Sequence, residues 1–480
     1  MSLVSSTFFI FLAVTVIAFH LSTSVAYRRF VMGVANAIFI ASYANNVTEL
    51  LPLLAFLLLG YAGLEVVRIR QMGASLAAGI VVVLAVYIFL KRFTFIEPLA
   101  RLPFPYLIVG LSYILFRVLQ VIVDARSESL PGRIGPLAFF RYTCNFLCFV
   151  SGPIQRYQDF ATMDGLEVVT LDADRVYQAF SRIVTGYLKV VVIAASADYI
   201  FKSLSPQLFD AAPLGLLKLS VLYGGCVAAY TAYVYFNFAG YMDIVIGFGL
   251  LLGQVLPENF NRPFTARSFL EFWQRWHMTL SEWFKLYLFN PFLMFLMTHF
   301  TSPALTAYLG VAAFFVTFLV MGVWHGTTLV FVIYGLLMGA GASINKLWQI
   351  VCAARLGKKR YRTLSQTTAY VYFARGITIA YFAIAVTCLW VPELPRFLAL
   401  SGRLGAAGVC ITFVLLALGF AAIAFVLESV SAWIAGRDGA LRAVSTSLVY
   451  KNLSLASRIL AVLAIASLFS APPDFVYKAF

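Results

Sequence analysis

The sequence predicts an all-α polytopic membrane protein, and its composition, hydropathy and segment lengths each favour that class. Of its 480 residues, 62% are hydrophobic and 11% are charged, whereas a soluble globular protein is about half apolar and about a quarter charged. The mean hydropathy is +0.90. Because a spanning helix needs roughly 20 apolar residues, we expect about 11 to 13 transmembrane helices together with re-entrant or interfacial helices.

Apolar runs of spanning length follow one another along the chain and are separated by short polar or proline-containing loops. Several of these runs are short or merge, so we expect fewer true spans than candidates. We interpret the whole chain, 1–480, as a single integral membrane domain. The candidate spans are roughly 3–20, 30–43, 50–66, 73–90, 104–123, 135–152, 178–201, 214–236, 238–256, 304–324, 327–348, 369–391, 407–434 and 456–471.

The net charge of +15 is carried mostly by short loops between the candidate spans. Cytoplasmic loops of membrane proteins are enriched in Lys and Arg. Segment 352–363 contains five basic residues and no acid, so we place it on the cytoplasmic side. We expect no nucleic-acid partner, because no segment combines basic residues with exposed aromatics on a plausible soluble face.

Two of the four histidines stand in aromatic, apolar surroundings. His277 ends the run Phe-Trp-Gln-Arg-Trp-His, and His325 lies in Gly-Val-Trp-His-Gly. Ionisable groups at membrane depth are costly and are therefore functional candidates. Burial would keep either imidazole neutral, which is the form that a general base needs. The alternatives are an interhelical hydrogen bond for His325 and an interfacial anchor for His277.

Other polar residues are candidates with less specific roles. Arg275 is able to bind an anionic headgroup or phosphate, although an interfacial arginine that snorkels towards water is the commoner case. Asp243 precedes an apolar run and could orient a histidine, pair with an arginine or cap a helix. We expect no metal site, because neither histidine belongs to a motif with metal-ligand spacing.

Six short motifs occur in order between about residues 110 and 345, and together they resemble the membrane-bound O-acyltransferase family. The resemblance is to the bacterial branch that modifies cell-envelope polymers. Outside this motif-bearing core the likeness is in hydropathy alone. The motifs occupy residues 110–117, 151–157, 235–247, 256–264, 272–277 and 322–326.

The resemblance implies a ring of helices with re-entrant segments around a central tunnel that reaches the histidines from both sides. It assigns His325 the role of intramembrane catalytic histidine and His277 that of second catalytic histidine. Hydrogen-bond donors for a developing oxyanion would come from His277, Trp273, Trp276 or backbone amides. The residues expected to support the site or line the tunnel are Trp273, Arg275, Trp276, Trp324, Asp243, Asn261 and Arg262.

The resemblance also implies a reaction and its partners. A cytoplasmic thioester, either acyl carrier protein phosphopantetheine or acyl-CoA, would donate the acyl group, with no tightly bound cofactor. The acceptor would be an extracytoplasmic polymer hydroxyl, reached directly or through a partner acyltransferase, and the enzyme would lie among the lipids of the bacterial inner membrane. A lipid acyltransferase and a transporter that moves an acyl intermediate without bond chemistry are the alternatives.

The identity of the acyl group stays open. Residues 284–292 lack the acid and the Leu-Gly-Gly element that alginate-type O-acetyltransferases carry after the first histidine. In this segment the chain is more similar to teichoic-acid D-alanyltransferases. Those proteins are usually shorter, however, and the additional C-terminal spans favour the acetyltransferase type. Acetyl and D-alanyl groups are therefore both expected candidates.

Overall fold

The computed structural model describes residues 5–96, 102–127, 129–164, 171–210, 214–435 and 448–468. Within these ranges the regular structure is helical, apart from an isolated antiparallel bridge between Phe260 and Trp276. Nine helices in these ranges are long and apolar enough to cross a membrane. The prediction of an all-α polytopic membrane protein is confirmed.

The helices follow the predicted runs closely in most of the chain. Short 3-10 or π segments join several of them, and Gly405, with φ of 58°, interrupts the longest helix. In chain order the α-helices are α1 Ser6–His20, α2 Val25–Ala41, α3 Leu51–Arg70, α4 Gly73–Lys91, α5 Leu111–Arg126, α6 Pro136–Thr143, α7 Tyr157–Asp164, α8 Ala173–Tyr187, α9 Ala195–Leu204, α10 Leu216–Leu251, α11 Phe269–Trp273, α12 Met278–Phe284, α13 Asn290–His299, α14 Pro303–His325, α15 Leu329–Leu356, α16 Lys358–Leu364, α17 Thr368–Ala385, α18 Thr387–Trp390, α19 Leu394–Ala435 and α20 Leu448–Leu468.

Among the described residues, some of the predicted runs do not form separate helices of spanning length. Most of the runs 214–236 and 238–256 forms the single 36-residue helix α10, Leu216–Leu251. Asn237 between the runs is buried and helical and does not break it. The run 104–123 becomes helical only from Leu111, after its prolines. The end of the predicted run 456–471 lies outside the described residues.

The predicted span 135–152 is wrong, because only its first part is helical. Helix α6 ends at Thr143, and residues 144–156 follow without a regular helix. The buried Arg117 of α5 donates hydrogen bonds to the carbonyl oxygens of Tyr142, Thr143 and Cys148. Such irregular backbone is tolerated at membrane depth only where protein groups satisfy its hydrogen bonds. Arg117 supplies one of them here, to Cys148, and the side-chain oxygens of Asn36 and Asn145 accept from the backbone N–H groups of Phe146 and Leu147.

The described residues divide into two compact units. The first comprises 5–191, 237–258 and 466–468, and the second comprises 192–236 and 259–465, each apart from the residues left out above. The two histidines lie in the second unit. There α14 and α15 form an antiparallel hairpin, in which a Cβ atom added at Gly322 would lie 2.1 Å from the Cα of Gly335. This close approach fixes the end of α14, where His325 stands.

Replacing Gly322 by alanine is expected to destabilise the protein by about 1–3 kcal/mol, since the added methyl group overpacks the hairpin. Gly310 lies on the same helix with nothing within 4 Å of an added Cβ. Gly310→Ala is therefore the matched control, and its higher helix propensity should leave the melting temperature equal or slightly raised. Thermal unfolding of the detergent-purified variants measures both effects. Equal melting temperatures for the two variants would contradict the close packing.

Candidate active site

The segment that carries His277 folds back on itself and brings Asn259 beside the histidine. The backbone N–H of Asn261 donates to the carbonyl of Arg275 at 2.9 Å, and that of Met278 donates to the carbonyl of Asn259 at 2.9 Å. The short helix α11 lies in the sequence between these two hydrogen-bonded segments. The spacing of aromatic residues in this segment is typical of a continuous helix, whereas the structure has two short helices, α11 and α12, that meet at His277.

The backbone of this segment is strained at two positions. Arg262 has φ of 47° and His277 has φ of 45°, and both lie in the left-handed region that non-glycine residues rarely occupy. Each such residue costs of order 1–3 kcal/mol and persists only where its surroundings hold it. The strain at His277 aims its ring from the start of α12 into the protein interior, where the residue is 1% exposed.

The hydrogen bonds of Asn259 define the tautomer of His277. The side-chain oxygen of Asn259 accepts from the backbone N–H of Thr279 at 3.1 Å and from the Thr279 hydroxyl at 3.0 Å. The same oxygen lies 3.1 Å from Nδ1 of His277. Because an amide oxygen only accepts, Nδ1 carries the hydrogen and Nε2 carries the lone pair. His277 is therefore a hydrogen-bond acceptor at Nε2.

Burial also favours the neutral imidazole of His277. The residue lies outside the candidate spans, and its pKa is held well below the ordinary value of 6.5, chiefly by loss of solvation. Repulsion from the charge that His325 acquires when protonated lowers the pKa of His277 further. The charge of one imidazole therefore affects the other within the second unit.

His325 is the last residue of α14 and is 2% exposed. Its Nδ1 atom lies 2.7 Å from the carbonyl oxygen of Met321, one helical turn earlier. A carbonyl can only accept, so Nδ1 carries the hydrogen and Nε2 carries the lone pair. The ring packs edge-on against Trp324 and Tyr334, at centroid distances of 4.9 and 5.5 Å. Both histidines therefore present a basic Nε2 atom.

The two tryptophans before His277 are buried in different ways. Trp276 lies in an aromatic cluster, whereas Trp273 packs against Phe318 and Phe382. The indole Nε1–H of Trp273 is buried and has no hydrogen-bond partner among the described residues. An unsatisfied buried donor requires an explanation, and a developing oxyanion would satisfy it. The rings around Trp276 are Tyr235, Phe260, Phe264, Phe272 and Phe382.

The remaining predicted residues of this segment hold the turn or face outward. Arg275 forms an ion pair with Glu271 at 2.8 Å and also donates to the carbonyl of Asn261 at 3.4 Å. Its observed contacts are therefore structural and do not require a headgroup. Asn261 and Arg262 are exposed. Their assignment to the substrate tunnel stays a prediction, as does that of Trp324.

Asp243 lies in the first unit, on α10, and pairs with two basic side chains. Its carboxylate oxygens lie 3.1 Å from Nε of Arg182 and 2.5 Å from Nζ of Lys189. Arg182 also pairs with Glu258 at 2.5 Å. Of the three roles considered for Asp243, pairing with an arginine is the one that the structure shows.

Two groups that contact the histidines were missed by sequence reasoning. Asn259 is a neutral residue of a common type, and the signal for it was its place in the motif Pro-Glu-Asn-Phe-Asn-Arg-Pro-Phe. Tyr334 is five residues into α15, and nothing in the sequence marks it as a neighbour of His325. In the ranges that the structure describes, no group of three or more His, Cys, Asp or Glu residues could hold a metal ion.

Changing Asn259 should alter the pH dependence of activity as well as its rate. In Asn259→Asp, a carboxylate facing Nδ1–H stabilises the imidazolium and raises the pKa of His277, so the acid limb of the rate profile moves to higher pH. Asn259→Ala removes the acceptor and lowers the rate without that upward shift. Rate-against-pH profiles of the two variants test this. Identical profiles for Asn259→Asp and wild type would contradict the positioning role.

The fold is that of a polytopic membrane protein, and two buried histidines lie in its second unit. A model of MBOAT, the membrane-bound O-acyltransferase family, matches residues 37–387. This match contains the motif-bearing core and extends beyond it at both ends. The chain belongs to this family.

Relatives from two groups of bacterial proteins are similar to the chain. It is 34% identical over 230 residues to the teichoic acid D-alanyltransferase of Bacillus subtilis, covering 48% of this chain and 56% of that protein. It is 29% identical over 369 residues to the probable alginate O-acetylase AlgI of Pseudomonas aeruginosa, covering 72% and 66%. The teichoic acid D-alanyltransferase of Streptococcus thermophilus is 33% identical over 246 residues, covering 50% and 57%. The chain thus spans less than two thirds of the length of these relatives.

Proposed function

We propose that this protein transfers an acyl group from a cytoplasmic thioester to a hydroxyl of an extracytoplasmic cell-envelope polymer. The observation that carries the proposal is the coupled pair of buried histidines, each with its lone pair on Nε2. General-base catalysis requires an unprotonated nitrogen near the reacting hydroxyl. Membership of an O-acyltransferase family supports the same reaction.

In the proposed reaction, His325 is the general base. Its Nε2 accepts the proton of the acceptor hydroxyl while the oxygen attacks the thioester carbonyl carbon. Collapse of the tetrahedral intermediate breaks the C–S bond, and the proton held by His325 passes to the departing thiolate. The products are an ester and a free thiol, so protons and acyl groups balance.

The hydrogen bonds of His277 support a different role from donation to an oxyanion. An oxyanion needs a hydrogen-bond donor, and neutral His277 has no hydrogen on Nε2 because Nδ1–H is directed at Asn259. His277 therefore acts as a second acceptor that orients the hydroxyl. The buried Nε1–H of Trp273 is the better candidate donor to the oxyanion. Exclusion of water from this apolar site would protect the thioester from hydrolysis.

The net charge of the protein supports the proposed acyl donor, and its basic loops and bacterial relatives support the proposed membrane location. Phosphopantetheine and coenzyme A are both anionic, and the net charge of +15 favours their approach. We infer a multi-pass location in a bacterial inner membrane, with basic loops on the cytoplasmic side. The names of the relatives leave two candidates for the transferred group, D-alanyl and acetyl.

Tracing the acyl group from donor to product tests the proposed acceptor. Membranes containing the protein are incubated with donors labelled in the acyl group, either acetyl or D-alanyl, and then separated into polymer and lipid fractions. We expect an alkali-labile label in the polymer. Label that accumulates in lipid instead would identify a lipid acyltransferase and would overturn the polymer acceptor.

A further inference from the structure

A cavity lies in the second unit, bounded by α15, α17, α19 and the residues at the start of α11. Its volume is about 420 Å³, which falls in the usual range of about 300–1,000 Å³ for ligand-binding sites. Most of its wall is aliphatic or aromatic, including Ile377 and Phe413. A cavity of this composition suits a hydrocarbon chain better than a polar ligand.

The side chains at one part of the cavity wall face away from the protein interior. Ile344 and Trp348 of α15 are 62% and 52% exposed, and Phe373 of α17 is 60% exposed. Both helices belong to candidate membrane spans. Exposed apolar groups on spanning helices are in contact with lipid tails. The cavity therefore communicates with the hydrocarbon layer.

A hydrogen-bonded row of aromatic side chains connects this cavity to α16. The indole N–H of Trp348 donates to the hydroxyl of Tyr370 at 3.1 Å, and this hydroxyl lies 3.4 Å from that of Tyr361. Trp348 and Tyr370 line the cavity, whereas Tyr361 belongs to α16. Tryptophan and tyrosine with this arrangement are typical of the membrane–water interface.

Helix α16 carries strong positive charge at this interface. The helix reads Lys-Lys-Arg-Tyr-Arg-Thr-Leu, and its four basic side chains are exposed. No acid occurs in segment 352–363. Arg267 also lines the cavity, but its charge interacts with Glu428. The positive charge near the cavity that no acid of the same segment offsets is therefore that of α16.

We propose that this cavity binds one acyl chain of an anionic phospholipid, whose phosphate group lies against α16. The apolar wall of the cavity would contact the acyl chain of the lipid, and the four basic residues would attract its negative headgroup. Clusters of Lys and Arg next to a membrane span attract anionic lipids by about 1 kcal/mol per charge. The site is separate from the histidines, and the proposal does not depend on acyl transfer.

Quenching of Trp348 fluorescence by brominated lipids tests the proposal without any transfer reaction. The full-length protein is placed in phosphatidylcholine nanodiscs that contain brominated phosphatidylglycerol or brominated phosphatidylcholine at equal mole fraction. The contribution of Trp348 is the difference between wild type and Trp348→Phe. We expect brominated phosphatidylglycerol to quench Trp348 more strongly than brominated phosphatidylcholine does. In the variant Lys359→Gln/Arg362→Gln, the preference for phosphatidylglycerol over phosphatidylcholine should fall by about fivefold for each charge removed.

A matched pair of variants, in each of which one alanine is replaced by phenylalanine, tests the cavity itself. Ala374 lines the cavity, whereas Ala422 is an exposed residue of α19 that is not part of the lining. Ala374→Phe should reduce quenching of Trp348 by brominated phosphatidylglycerol, and Ala422→Phe should leave it unchanged. Equal quenching by the two lipids in wild type, or a preference that survives Lys359→Gln/Arg362→Gln, would overturn the proposal. So would unchanged quenching in a folded Ala374→Phe protein.

Discussion

Replacing His325 by alanine is expected to lower the rate of acyl transfer by about 100- to 10,000-fold, the range that general-base catalysis contributes. The Nε2 lone pair is lost, and no other group takes its position at the end of α14. The measurement is ester formation from a labelled thioester by purified protein in proteoliposomes. Melting temperature is recorded in parallel, because His325 also donates to the carbonyl of Met321.

The chain provides its own control for this experiment. His299 is exposed at the end of α13, with Nδ1 2.8 Å from the carbonyl of Phe295, so it makes the same type of local contact as His325. His299→Ala should retain wild-type activity. If folded His325→Ala protein also retained wild-type activity, His325 would not be the general base.

Replacing His277 by alanine is expected to lower the turnover number by about 100-fold, as misorientation of a reacting group does. In the double variant His277→Ala/His325→Ala, the loss should be close to that of His325→Ala alone, since groups that act as a unit are strongly non-additive. Turnover numbers of the wild type, both single variants and the double variant measure this coupling.

Two results would contradict the role of His277. Losses that multiply in the double variant would show that the two histidines act independently. A His277→Ala protein with unchanged turnover would make the residue a packing group at the start of α12. Thr279→Val is a useful control, since it removes one hydroxyl contact to Asn259 while leaving the His277–Asn259 contact in place.

The histidines could be predicted from the sequence because they are rare and because their apolar surroundings make an ionisable group costly. Their tautomers could not, because these depend on the carbonyl of Met321 and on Asn259, which lies 18 residues before His277. The left-handed conformation of His277 was likewise invisible in a helical pattern. It divides what looks like one aromatic helix into α11 and α12.

The spanning helices could be predicted wherever an apolar run was long and uninterrupted. The prediction of a spanning helix at 135–152 was wrong because hydropathy does not show which groups form hydrogen bonds with a buried backbone. There a buried arginine from α5 and two asparagine side chains satisfy part of the irregular backbone. At 214–256 two neighbouring candidate runs merge, because the buried Asn237 between them is part of α10. The positions of buried polar residues depend on their hydrogen-bond partners, which hydropathy does not show.

The central claim, that this protein breaks a thioester and forms an ester, is tested most directly by counting both products. Proteoliposomes containing the full-length protein receive a thioester donor labelled in the acyl group, and the polymer acceptor is present on the opposite side. We predict one free thiol for each ester formed on the acceptor, and neither product with His325→Ala. Passage of intact donor across the membrane without thiol release would contradict acyl transfer and would identify a transporter.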